Sequence, residues 1–152
     1  MTEDRPAFRR AAWIALISTG VLLQACAKDA APAATGARVY AADVTGKARS
    51  CEVPAVKPAD GQTTDTAIKL GNDGGWCGLL VRQPSAKPFD AGLLSARPAH
   101  GNVRIHYVGD ETRIDYTPDH GFAGADSFSV RLIPGDALLR IAVTVTAPTG
   151  KG

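Results

Sequence analysis

"SFSVRLIPGDALLRIAVTVT", residues 127–146, decides the fold. Phe128, Val130 and Leu132 alternate with Ser127, Ser129 and Arg131, and the second half continues with Leu139, Ile141, Val143 and Val145 two apart. A period of two is the pattern of a strand with one face in a core and the other in water. Pro134-Gly135-Asp136 between the halves is turn chemistry, so the two runs read as strands joined by a turn.

Upstream the pattern repeats. Thr112–Thr117 carries Ile114 and Tyr116 on one face. In Asn102–Val108, Val103, Ile105 and Tyr107 point one way and Asn102, Arg104 and His106 the other. Gly109-Asp110-Glu111 reads as the turn between them. Trp76–Val81 (WCGLLV) is a short apolar run bounded by Gly74-Gly75 and Pro84. At least five strands follow one another at roughly ten-residue spacing with no helical period among them, which predicts an all-β chain and a single β-sandwich over residues 67–147. Residues 148–152 read as a flexible tail.

The stretch "YTPDHGFAGADSF", residues 116–128, joins two of these strands. Pro118 stops the first strand after Tyr116. Gly121 and Gly124 permit positive φ as the chain crosses between sheets. Phe122 and Phe128 can plug the end of the core, about 2–3 kcal/mol each if fully buried. Asp126 is a short acceptor able to bond backbone N–H groups of the turn. These residues resemble, together with Pro98, Gly101 and Val103 before them and Val143 and Val145 after, the bacterial Ig-like, cadherin-like repeats. The shared pattern is P-x-x-G-x-V, then Y-x-P-x-x-G-F-x-G-x-D-x-F, then an alternating V-x-V strand, over about residues 93–147. The resemblance implies an Ig-like sandwich and a structural role for Tyr116, Pro118, Gly121, Phe122, Gly124, Asp126 and Phe128. Pro134-Gly135-Asp136 replaces the Asp-Gly-x-Gly-like turn of many members, and one copy is present rather than a tandem array. Both departures count against calcium binding and against a long adhesive stalk.

The N-terminus carries Arg9 and Arg10, then an apolar run from Ala11 to Leu23. Its length fits the h-region of a signal peptide and falls short of the ~20 residues a membrane span needs. Leu23-Gln24-Ala25-Cys26 resembles a bacterial lipobox. That resemblance implies a signal peptide over 1–25, a lipidated (palmitate-bearing) Cys26 and a membrane attachment through the lipid. Ala27, in the place where Asp favours inner-membrane retention, implies the outer membrane. Residues 27–42 are rich in Ala with Pro and Gly interspersed, and 52–66 are turn-rich, so 26–66 reads as a tether and irregular segment. Cys51 and Cys77 then form an even pair outside the cytoplasm, where a disulfide is expected; closing the loop stabilises the fold by about 3.5 kcal/mol in the chain-entropy model.

Charge is nearly balanced, 17 Lys and Arg against 15 Asp and Glu. No long-range field attracts nucleic acid or an anionic surface, so no nucleic-acid partner is expected. The histidines His100, His106 and His120 have no H-x-x-x-H or C-x-x-C spacing, and they read as solvated side chains rather than metal ligands. Asp119-His120 with Ser127 or Ser129 lacks a G-x-S-x-G context, Asp110-Glu111 are turn acids, and "GNDGG" (71–75) is a turn rather than a calcium loop. Cys77 has no nearby His or Asn to activate a thiol. Trp76 reads either as a cover for the disulfide or as an exposed anchor for a ligand. No catalytic residue, metal site or cofactor is expected. The expected function is a non-enzymatic envelope lipoprotein displaying a binding or structural module for an envelope protein, a polysaccharide or peptidoglycan. The alternative is a metal-dependent or hydrolytic periplasmic enzyme built on the loop histidines and acids.

Overall fold

Burial alternates along residues 127–132 and 137–146 as the sequence pattern demands. In the structure, a computed structural model that describes residues 41–147, eight strands follow one four-residue helical turn, α1 (Ala41–Val44). They are β1 (Cys51–Glu52), β2 (Thr63–Gly71), β3 (Cys77–Val81), β4 (Ala91–Ala96), β5 (Gly101–Val108), β6 (Glu111–Pro118), β7 (Gly124–Ile133) and β8 (Ala137–Thr146). The signal peptide, Cys26, the tether over 27–40 and the tail over 148–152 lie outside the described residues.

The strands form two sheets. One has the order β1-β2-β8-β7-β4 and the other β3-β6-β5. All neighbours run antiparallel except β2 and β8, which pair parallel from Thr63↔Leu138 to Gly71↔Thr146. Register aligns the apolar positions: Phe128 faces Ile141 and Val130 faces Leu139 on β7–β8, and Ile68 faces Val143 on β2–β8. Ile68, Leu70, Phe128, Val130, Leu132, Leu139 and Ile141 from one sheet share a single buried cluster with Leu79, Val81, Ile114 and Tyr116 from the other. Two sheets around one apolar layer make an all-β architecture compatible with a β-sandwich. Each such side chain contributes about 1.5–3 kcal/mol relative to exposure. The disulfide Cys51–Cys77, with Cα atoms 5.4 Å apart, links β1 of one sheet to β3 of the other.

Three differences from the sequence reading share a cause. β2 begins at Thr63 rather than near 67, and its polar first half (Thr63 to Thr66) is strand because β8 offers a parallel partner over that length. β4, "AGLLSA", has weak strand propensity, and no strand is expected there from sequence. It forms on the edge of β7 with a register shift between Leu94 and Ala96. Residues 41–50 are no loose tether: Ala48 is buried, and Lys47 bridges Trp76, which precedes β3 rather than starting it. In each case the decisive partner is distant in sequence. Tyr107 also departs from its expected face in effect, for it is exposed at the sheet edge and its hydroxyl donates to the Asp90 carbonyl.

Candidate functional site

The corner is organised around Tyr116. Its ring is fully buried and lies parallel to Phe128, centroids 5.8 Å and planes 5° apart. The hydroxyl sits 2.9 Å from Asp126 Oδ2 and 3.0 Å from the His100 carbonyl oxygen, so the two acceptors share its proton. Asp126 accepts three backbone N–H groups as well, from Ala99, His100 and Ser127. It thus binds the loop that precedes β5, not only the turn before Phe128. Gly101 rests on the Tyr116 ring: a Cβ there would stand 2.6 Å from a ring carbon and 2.7 Å from the Thr117 carbonyl oxygen. The glycine is required by that contact. Gly121 and Gly124 do take positive φ, at 76° and 147°. Phe122 is half-buried, and its outer face stacks on the His100 ring at 4.3 Å.

Asn72, read from sequence only as part of a turn, is a structural clamp. It is buried, and its side-chain amide donates to the carbonyls of Asp119 and Phe122 at 2.8 and 2.9 Å. "GNDGG" is otherwise a turn, with the Asp73 carboxylate accepting the N–H groups of Arg49 and Gly75. The Arg49 hydrogen bond is the main reason that the Asp73 carboxyl is held below its ordinary range. For Asp126, burial pushes the carboxyl up, but the N–H groups of Ala99, His100 and Ser127 and the Tyr116 hydroxyl outweigh it and leave the net shift downward. Burial first, and then the hydrogen bond to Asp126, push the Tyr116 hydroxyl well above the ordinary tyrosine range.

A second polar constellation lies on the outer face of the three-stranded sheet, where sequence offers no sign of burial. Arg113 and Asp115 point away from the core on β6, yet they are only 8% and 5% exposed. Arg113 Nη2 donates to Asp115 Oδ2 at 3.0 Å, and its Nε lies 2.8 Å from Oδ1 as a close ion-pair contact without hydrogen-bond geometry. Its guanidinium carbon lies 3.9 Å from the centre of the Trp76 ring, and its Nη1 donates to the Asp43 carbonyl. Trp76 Nε1 donates to the Thr45 carbonyl at 2.8 Å. Trp76 therefore neither covers the disulfide nor stands free: it clasps residues 43–48 over the sheet. Gly78 leaves room for the pair, since a Cβ on it would lie 2.3 Å from Asp115 Oδ1. His106 joins from β5, its Nε2 2.8 Å from Asp115 Oδ2. It is not the solvated side chain that alternation suggests.

The remaining candidates are dispersed. His100 packs on Phe122, His106 on Asp115, and His120 is exposed in the corner. Among the described residues no three His, Cys, Asp or Glu side chains converge as a metal cluster. Asp119 engages through its backbone, Ser127 and Ser129 lie on the outer side of β7, and Cys77 has no thiol because it is in the disulfide. Asp110 is exposed in the β5–β6 turn, while Glu111 borders a groove.

That groove, of about 730 Å³, runs between β3 and the extended segment 53–58. Val53, Val56, Gly78, Leu80 and Val81 line it, with Lys57 and Arg82 at its rim. Such a volume lies in the ~300–1,000 Å³ range of ligand-sized clefts. Comparison of the chain with known families and with curated proteins gives no match.

Proposed function

We propose that the protein is an envelope lipoprotein, anchored through Cys26, that displays one Ig-like β-sandwich as a non-enzymatic binding or structural module. The strand order carries the reading. Sheets of order β1-β2-β8-β7-β4 and β3-β6-β5, with the first long strand parallel to the last, support an Ig-like connectivity in which that strand lies on the sheet of the last. The corner agrees with it: Tyr116, Asp126 and Phe128 are engaged in holding loops and filling the core. Asp126 is taken up by backbone N–H groups, and Asp115 with His106 by Arg113. The Arg9–Cys26 stretch supports the lipid anchor, and Ala27 supports outer-membrane sorting.

Intact mass of the protein from its native envelope tests the anchor. The expected species begins at Cys26 and carries acyl chains, and Cys26→Ser removes them; an unmodified wild-type chain that retains residues 2–25 overturns this part. Cross-linking in the same envelope tests the module, with an envelope protein or peptidoglycan as the expected capture.

A further inference from the structure

We infer that the groove between β3 and residues 53–58 binds an extended peptide of a partner protein, which adds as a strand to the free edge of β3. This inference deepens the binding-module reading and rests on it, but it is independent of the lipid anchor.

Among the described residues β3 is the outer strand of its sheet, paired with β6 on one side only. Just before it, Trp76 shows which way the other side points: its N–H donates to the Gly46 carbonyl and its carbonyl accepts from the Ala48 N–H. Backbone direction alternates along a strand, and the ladder from Cys77 to Val81 continues without a bulge. Gly78 and Leu80 therefore turn their N–H and C=O groups the same way as Trp76, into the groove. Among the described residues none pairs with them there.

The chain itself begins the missing strand and then leaves it. Residues 46–48 run parallel to β3 beside Trp76. The chain departs at Ser50, because Cys51 is bonded to Cys77 and paired with Leu70 across the sandwich. It returns as 53–58, an irregular segment with Pro54 and Pro58 that makes no backbone hydrogen bond to β3. The slot beside Gly78 and Leu80 is thus flanked by open backbone on one wall and by Val53 and Val56, which pack against the core, on the other.

This chemistry selects the occupant. Open N–H and C=O groups in register are satisfied by another extended backbone, which is the basis of strand addition. Val53, Val56 and the 41%-exposed Leu80 call for apolar side chains at alternate positions. Lys57 and Arg82, both exposed and without an ion-pair partner among the described residues, outnumber Glu111 along the groove and call for an acidic residue at the end. A polysaccharide offers neither the alternating apolar groups nor the backbone register.

The test uses the full-length protein in detergent and fluorescein-labelled heptapeptides of pattern Glu-X-Thr-X-Thr-X-Glu, X being Val, Ile, Leu or Phe. Saturable binding is expected for at least one. N-methylation of one alternating set of its amides should weaken binding by roughly 100-fold, and methylation of the other set should leave it unchanged, because only one set faces β3. Leu80→Pro removes a groove-facing N–H without touching the β6 ladder. It should keep the strand spectrum and lose about three- to tenfold in affinity. Should that variant misfold, Lys57→Glu with Arg82→Glu provides a surface alternative, with about a tenfold loss at low salt that fades at high salt. No saturable binding of any peptide overturns the inference. So do equal losses from both methylated sets, selective binding of peptidoglycan fragments at the same residues, and self-association abolished by Leu80→Pro, which would make the occupant a second copy of this chain. An unacylated Cys26 would leave all of these measurements unaffected.

Discussion

The corner and the Trp76 clasp are both polar networks laid over the ends and faces of one core, but they are assembled differently. Tyr116, Asp126 and Phe128 lie within thirteen residues, and one carboxylate gathers donors from among them, from Ser127 and from the loop before β5. The clasp joins Asp43, Trp76, His106 and Arg113, brought together from α1, the residue before β3, and the strands β5 and β6. The corner keeps its charge half-exposed and hydrogen-bonded to backbone. The clasp buries an ion pair, and a buried pair is costly to break even where its net contribution is small. The contrast is between a device whose anchor residues share one motif and shape a corner, and one that fastens the N-terminal segment to the domain.

The largest expected effect removes the hinge between core and corner. Phe128→Ala deletes a fully buried ring against Tyr116 and should cost about 3–5 kcal/mol, read as a lowered midpoint in denaturant. Asp115→Ala leaves the Arg113 charge buried beneath Trp76, and about 3 kcal/mol is expected. Protection of the amides of Ala48 and Trp76 from hydrogen exchange should fall with it, whereas the corner amides of Ala99 and His100 should stay protected. If both regions loosened together, the two networks would be one unit and the contrast would fail.

A smaller effect has a distinctive pH signature. Because the folded Asp126 carboxyl titrates below its unfolded value of about 3.9, its contribution is present above that pH and is lost as pH falls through the folded value. Tyr116 acts at the other end. Its folded value is raised above the unfolded value of about 10, so its contribution is present below pH 10 and is lost as the medium becomes more alkaline. Asp126→Ala should cost about 1–2 kcal/mol at neutral pH and flatten the acid limb of a stability–pH profile. An unchanged acid limb would show that Asp126 is not the titrating group. The smallest effect is that of His120→Ala, under about 0.5 kcal/mol in the same melts, since its side chain is exposed.

The alternating strands and the corner were legible because their information is local. Side-chain direction in a strand follows from a period of two, so Phe128, Val130 and Ile141 declare the core face without reference to anything else. A turn needs particular residues at particular places, so Pro118, Gly121 and Gly124 mark the corner. β4 and the first half of β2 gave no such signal. "AGLLSA" and "TTDT" are strands because β7 and β8 present edges to them, and pairing outweighs their weak propensity. His106 reads as solvated, and Arg113 carries no sign of burial, for a related reason. Alternation places them correctly on the outer face, but it cannot report that Trp76 and residues 43–48 lie on top.

Patterns of neighbouring residues were thus enough to determine an all-β chain, which side of four strands meets the core (Tyr107 excepted), and where the chain turns, and to make a Cys51–Cys77 disulfide the expected one in an oxidising compartment. Tertiary structure alone decided the parallel pairing of β2 with β8, the burial of Arg113 and Asp115, the clamp by Asn72, and the edge of β3 left open among the described residues beside 53–58. The first group depends on steric and hydrophobic preferences that act within a few residues. The second depends on which surfaces meet after the chain has crossed from sheet to sheet, and an edge is open or covered only with respect to a segment that arrives from elsewhere.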